Sequence, residues 1–361
     1  MGIAFKELIR RPSRFAAVGG ALTLLVILLV VLGGFLDGLE LNQTGPYRAH
    51  EGRLLVFSAD SELLAQRSRL DASTREQIAM VDGVAAVGGL NLIETTASDD
   101  GGDLIDIVLF GYELPTAVIP PPPTGDGAII DGALADRNGV SVGDLLAVGP
   151  ASQPLTVVEI VDDLSQGAPT VWVPLERWRE IVLASDPRAL PPEGVTQILV
   201  VEPSDQPAGV PAINVGSIDG VQLATPAEAI DALPVVQQQS TTFEGIIGVT
   251  FVVTLLVVAL FFALITLERV ALYSVLKALG ARTFDLVAGI SVQAIGVSLV
   301  ALVLGFGLSA LFVRFLPPDL PVRIEPSRLV QIAAGVVATA ALGSLFTLRR
   351  ILQIDPAEAI G

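Results

Sequence analysis

Four stretches of this chain carry no charged side chain for 20 residues or more: Phe15–Leu36, Gly245–Leu267, Leu286–Val313 and Leu329–Leu348. A helix rising about 1.5 Å per residue needs about 20 apolar residues to cross a hydrocarbon layer about 30 Å thick. Backbone N–H and C=O groups in lipid must be bonded within their own segment, which leaves the helix as the form each stretch takes. The sequence therefore predicts a membrane protein with four transmembrane α-helices in a 1+3 arrangement. A large α+β extracytoplasmic domain is expected between the first and second spans.

Charge sets the expected orientation. Asp37–Ser240 holds 30 acidic and 9 basic residues, whereas the rest of the chain holds 8 acids and 12 bases. Basic residues beside spans favour the cytoplasmic side. Lys6, Arg10, Arg11 and Arg14 precede the first span; Arg269, Lys277 and Arg282 separate the second and third; Arg349 and Arg350 follow the fourth. With four spans these flanks share one side, so both termini are expected in the cytoplasm of a bacterial cell. The Arg314–Arg328 connection is mixed in charge and weakens the rule locally.

The expected order is a cytoplasmic amphipathic segment at 1–14, a first span at 15–36, a domain at 37–240 and a second span with its stalk at 241–267. A cytoplasmic segment at 268–285, a span at 286–313, an outer loop at 314–328, a span at 329–348 and a cytoplasmic tail at 349–361 complete it. The first stretch is long for a signal peptide, and "GGFLDGLE" lacks a clean small-x-small cleavage site. It reads as a retained anchor.

Within the domain, Arg53–Ser58 and Leu104–Glu113 read as strands, and "SELLAQRSRL" as helical. "STREQIAMVDGV" reads as a helix capped by Ser73 and Glu76 and stopped at Gly83. "PTAVIPPPPTGDG" suits neither helix nor central strand, and is expected to link two subdomains near 115–127. Thr225, Pro226 and Glu228 form a cap, a first-turn proline and a capping-box acid, predicting a broken stalk helix leading into the second span.

The composition narrows the chemistry. There is no cysteine, and His50 is the lone histidine, so neither thiol chemistry nor a multi-histidine metal site is expected. No G-x-x-x-x-G-K-[ST] occurs, and the only lysines, Lys6 and Lys277, follow no glycine-rich loop. The chain is expected to be no enzyme and to bind no cofactor itself. Tyr47, His50 and Met80 are types that can ligate haem, but lone residues of these kinds more often pack.

The charged segment between the second and third spans reads "LERVALYSVLKALGARTFDL". As a helix it places Leu272, Val275 and Leu279 on one stripe with Leu276 beside it, edged by Lys277 and Arg282, and Gly280 is a natural stop. The segment resembles the cytoplasmic loop of FtsX-like ABC permeases, the MacB-type group. That loop begins Glu-Arg and continues into a Lys/Arg-x-Leu/Met-Gly-Ala signature, places filled here by Glu268, Arg269, Lys277, Ala278, Leu279, Gly280 and Ala281. The family's tail Asp-Pro-x-x-Ala is matched from Asp355 and Pro356. "IRRPSRFA…GGFLDGLELN" and the short external domain lean toward the DevC and HrtB branch.

The resemblance implies a permease subunit with a separate ATPase in two copies, which uses ATP and Mg, and with a second permease copy, identical or paralogous. It implies that Glu268–Arg282 couples to the ATPase, with Asp355 and Pro356 as a second contact. It also implies export or extraction of a hydrophobic or amphipathic substrate by mechanotransmission. An FtsX-like non-transporting regulator of an extracytoplasmic enzyme or signalling partner is the alternative. Candidate substrate contacts are Asp37, Glu40 and Glu244 at the outer span ends, which otherwise serve as solvated end-caps. Gly305, Ser309, Gly335, Thr339 and Gly343 are expected to pack helices closely.

Overall fold

The structure is a computed structural model that describes residues 12–98, 102–204, 218–268, 275, 279, 283–317 and 320–352. It divides into two compact units, one of Met1–Leu39 with Gln239–Gly361 and one of Glu40–Gln238.

The first unit is helical. It contains most of α1 (Pro12–Arg48) and α6 (Pro234–Glu268), with α7 (Thr283–Val313) and α8 (Pro326–Leu352). Among the described residues, four helices are long and apolar enough to cross a bilayer. They share a core in which Leu22 of α1, Phe262 of α6, Val297 of α7 and Ala340 of α8 meet. Large apolar side chains also face outward: Val252, Leu256 and Leu260 on α6, and Val303 and Leu311 on α7 are exposed. Exposed apolar faces of this extent suit lipid or another apolar surface.

The second unit is built on one nine-stranded sheet: β1 (Leu54–Ser58), β2 (Val84–Ser98), β3 (Leu104–Tyr112), β4 (Gly127–Asp131), β5 (Leu145–Val148), β6 (Gln153–Val161), β7 (Thr170–Pro174), β8 (Ile198–Pro203) and β9 (Val221–Ala224). Short helices α2 (Ala72–Ala79), α3 (Gly132–Asn138), α4 (Leu175–Ser185) and α5 (Pro226–Asp231) accompany it. The order is β3-β7-β4-β6-β5-β2-β8-β1-β9, and β2 also pairs with β3. Six strands therefore close into a ring, and β8, β1 and β9 extend from β2 as an open lobe. The long β2 serves both: Val84–Leu90 pairs with β8, and Leu90–Ser98 pairs with β3.

Alternation along the strands builds the cores, because successive side chains point to opposite faces. Leu109, Ile130 and Val171 enter one cluster, while their neighbours Phe110, Ile129 and Trp172 enter another. The second cluster also takes Leu55, Phe57 and Val200 from the open lobe, so one core serves both lobes. Trp172 stacks on Phe110 with ring centroids 4.2 Å apart.

Three sequence expectations change. The proline-rich segment lies inside the ring lobe rather than between subdomains: Ile119 is buried in the shared core, and the Tyr112 hydroxyl donates to Pro120 O at 2.9 Å. The open lobe instead joins residues from both ends of the domain. "SELLAQRSRL" is not a helix. Glu62 and Leu63 have φ of 55° and 62°, and local hydroxyl bonds replace the helical ladder: Ser61 Oγ donates to Ser58 O, and Ser58 N–H to Ser68 Oγ. The cap of α2 is Asp71 rather than Ser73. One carboxylate oxygen of Asp71 accepts the Thr74 N–H and both the Ser73 and Thr74 hydroxyls at 2.8 Å, and a charged acceptor at a helix start outcompetes a hydroxyl. The Thr225 capping box forms as read.

Candidate functional site

The segment that resembles an ATPase-coupling loop lies mostly outside the described residues. Arg269, Leu276, Lys277, Ala278, Gly280, Ala281 and Arg282 fall there, as do Asp355, Pro356 and the segment before Pro12. Glu268 ends α6 and is exposed. Val275 and Leu279 are described: the Leu279 N–H donates to Val275 O at 3.0 Å, a single helical turn, and Leu279 is 79% exposed. An apolar side chain that open is available to a partner.

At the other end of the first apolar stretch a second arrangement appears. The Arg328 guanidinium donates from Nε to both oxygens of Asp37, at 3.1 and 3.2 Å, and from Nη2 to Oδ1 at 2.5 Å. Asp37 is thus a buried partner of α8, not a solvated end-cap. Around it the helix surface is cut away at Gly33, Gly34 and Gly38. A Cβ on Gly38 would fall 1.8 Å from Pro321 O, and one on Gly34 would lie 2.9 Å from Arg323 O. The Arg323 N–H donates to Gly34 O at 2.8 Å. The "GGFLDG" run is a notch that seats the irregular backbone of 320–323, and the ion pair closes it. Glu40 lies just beyond, and Glu244 is exposed on α6; neither joins Asp37 in a cluster that could hold a metal among the described residues.

The small residues of α7 and α8 face other helices of the same chain. A Cβ on Gly305 would lie 2.4 Å from Val26 of α1, one on Gly335 2.5 Å from Phe251 of α6, and one on Gly343 2.9 Å from Val258 of α6. Ser309 is fully buried, and Thr339 Oγ1 donates to Val336 O at 2.9 Å.

Within the sheet unit, the end of α1 is built as a joint. Pro46 has no N–H, so the carbonyl of Asn42 loses its helical partner. The Gly167 N–H takes that carbonyl at 2.8 Å, the Gly45 N–H turns to Ser165 O at 3.2 Å, and Arg48 Nη2 donates to Leu41 O at 3.1 Å. Gly45 must lack a side chain, since its Cβ would lie 2.5 Å from Asp163 O. The same connection is held from behind by Asp131, which caps α3, accepts the Leu164 N–H at 3.3 Å and accepts the Ser165 hydroxyl. Burial pushes the Asp131 carboxyl above the usual range, opposed by these hydrogen bonds. Sequence reading missed this joint; the Gly45–Pro46 pair inside a polar helical stretch is the signal that marks it.

The three possible haem ligands serve other ends. Met80 is 80% exposed at the end of α2. Tyr47 and His50 are buried, and His50 Nδ1 lies 2.7 Å from Pro46 O. Burial holds His50 neutral, its pKa lowered to about 4.

Residues 245–356 match the family model described as FtsX-like permease C-terminal. The chain carries an FtsX-like permease domain. An uncharacterized ABC transporter permease of Mycobacterium tuberculosis is 30% identical over 203 residues, which cover 55% of this chain and 58% of that one. A protein of Staphylococcus haemolyticus provisionally named hemin transport system permease protein HrtB is 25% identical over 144 residues, 40% of this chain and 41% of that one. The matched stretches therefore span about half the length of these relatives. Among solved structures, the periplasmic region of MacB from Actinobacillus actinomycetemcomitans aligns with a TM-score of 0.37 and 11% identity, over 49% of this chain and 89% of that chain. The extracellular domain of the transporter YknZ aligns with a TM-score of 0.32 and 17% identity, over 48% and 98%. The FtsX-like domain begins inside α6 and contains all of α7 and α8.

Proposed function

We propose that this chain is the permease subunit of an ABC transporter that exports or extracts a hydrophobic or amphipathic substrate by mechanotransmission. The observation that carries the reading is the FtsX-like domain at 245–356, which includes the Glu268–Arg282 segment. ATP and Mg belong in this reading to a separate ATPase subunit in two copies, acting on two permease copies in a bacterial cell membrane with cytoplasmic termini. Nucleotide-driven closure of the ATPases pushes the coupling segment through Leu279 and Lys277. Rigid helices carry the motion, because an α-helix resists compression along its hydrogen-bonded axis. The joint at Gly45–Pro46 passes motion of α1 to the β6–β7 connection and, through Asp131, to α3.

The test is co-expression with the ATPase encoded beside it, reconstitution in nanodiscs, and ATP hydrolysis measured against lipids, haem and macrolides. Stimulation by one class, lost in Lys277→Glu/Gly280→Pro, supports transport coupling. Failure to assemble with any ATPase overturns the reading. Turnover that no cargo alters favours a regulator of an external partner instead.

A further inference from the structure

A cavity of about 510 Å³ opens in the sheet unit, within the range of about 300–1,000 Å³ typical of small-molecule sites. Its walls come from four segments far apart in sequence. The end of α1 supplies Arg48 and Glu51, the proline-rich segment Val118, the β6–β7 connection Asp162 and Asp163, and α5 Ile230. Two properties of this lining point to one ligand class.

The first is a fixed apolar wall. Val118 is 50% exposed, yet it is not on a loose loop. The N–H groups of Val118 and Ile119 donate to Thr116 Oγ1 at 3.1 and 2.8 Å, and the Thr116 N–H donates to Ile119 O at 2.8 Å. Buried Ile119 pins the turn below it. The apolar side chain is therefore held at the cavity by a preorganised turn, and Ile230 is the second large apolar residue of the open lining.

The second is sign. The lining residues include three acids and one arginine, and the Arg48 guanidinium is turned into the wall: it donates to Thr44 Oγ1 at 3.1 Å, to Leu41 O at 3.1 Å and to the main-chain Asp163 O at 3.4 Å. Glu51 and Asp162 remain exposed at the cavity. The surrounding region, with 30 acids to 9 bases, adds attraction for cations at long range. A wall that is half apolar gives a bare metal ion too few oxygens, whereas an organic cation with spread charge satisfies both halves.

We propose that this cavity binds an amphipathic organic cation, its apolar body against Val118 and Ile230 and its charge toward Glu51 and Asp162. The assignment goes beyond the transport reading and holds whether the ligand is cargo or signal. Because the site includes the end of α1 and the stalk turn α5, occupancy would brace the two against each other.

The test uses the full chain in nanodiscs and tritiated tetraphenylphosphonium, with empty discs of the same lipid as background. The expected result is saturable binding to one site per chain. Glu51→Gln/Asp162→Asn should weaken it about fivefold, the size of two exposed ion pairs. Ala227→Trp, at an exposed lining position of α5, should abolish it by filling the space. Neutral triphenylphosphine oxide should not compete. No saturable binding above empty discs, equal affinity in the double variant, or full competition by the neutral analogue would each overturn the proposal. No ATPase is present in the assay, so its outcome is separate from that of the coupling experiment.

Discussion

Asp37 and Arg328 stand 291 residues apart and form a bidentate ion pair, with side chains only 10% and 25% exposed. Such a pair is a weak source of net stability but costly to half-remove, because one desolvated charge is then left alone. Arg328→Met and Asp37→Asn should each destabilise the helical unit, and the double variant should lose less than their sum. A coupling energy of about 1–3 kcal/mol is expected from unfolding titrations of the four proteins. Strict additivity would mean that the two side chains do not depend on each other.

The glycine notch gives a sharper contrast. Gly38→Ala places a methyl group on the carbonyl of Pro321, whereas Gly20→Ala, on the same helix, meets nothing within 4 Å. The first should expose the 320–323 segment, read as faster labelling of a cysteine introduced by Val322→Cys, and lower the unfolding midpoint. The second should be neutral or slightly stabilising, since alanine is the better helix former by about 1 kcal/mol. Equal behaviour of the two variants would remove the notch as a seat for that segment.

Asp131 should tolerate loss of charge better than loss of shape. Its raised pKa means that the folded state binds the proton more tightly than the unfolded one, so its contribution to stability improves as pH falls through the folded pKa. Asp131→Asn keeps Oδ1 as the acceptor for the Leu164 N–H and turns its amide N–H toward the Ser165 hydroxyl oxygen, which can accept it, and is expected to cost under about 1 kcal/mol. Asp131→Ala strands both donors and should cost about 2–6 kcal/mol, at about 1–3 for each unsatisfied group. Denaturant titration of the two variants decides it.

His50 has the opposite sign. Its folded pKa of about 4 lies below its ordinary value of 6.5, so the unfolded chain takes up the proton first. Stability from this group is fully present above pH 6.5 and falls by about 3 kcal/mol as pH drops toward 4, at about 1.4 kcal/mol per unit. Unfolding midpoints across that window should slope less in His50→Gln than in the parent. Parallel slopes would show that other groups carry the acid sensitivity.

The parts of this molecule that were legible in sequence are those whose cause is local. Charge-free length announced the spans, and the Thr225–Glu228 box was readable because cap and acid lie within one turn. Where a residue's fate depends on something distant, the reading failed. Asp37 looked like an end-cap because nothing near it in sequence mentions Arg328. Ser73 looked like a cap because a capping-box acid followed it, yet Asp71 stood two places earlier with a stronger acceptor. The prolines near 120 looked like a linker, since their inability to join a ladder says nothing about whether a neighbour such as Ile119 is buried. The ring was invisible for the same reason: closure depends on β2 being long enough to serve two lobes, and pairing partners are not written in alternation.

The placement of β1 has a consequence for how the protein is made. Among the described residues its strand partners are β8 and β9, which come late in the same domain. During synthesis the chain therefore presents an apolar strand, Leu54–Phe57, with both edges open until Ile198 and beyond have followed. At synthesis rates of about 5–20 residues per second the wait is on the order of ten seconds. The ring lobe can close during that interval, since all of its remaining strands are made before β8. Assembly of the sheet unit thus has an order, and the segment most in need of an escort is the first strand to be made.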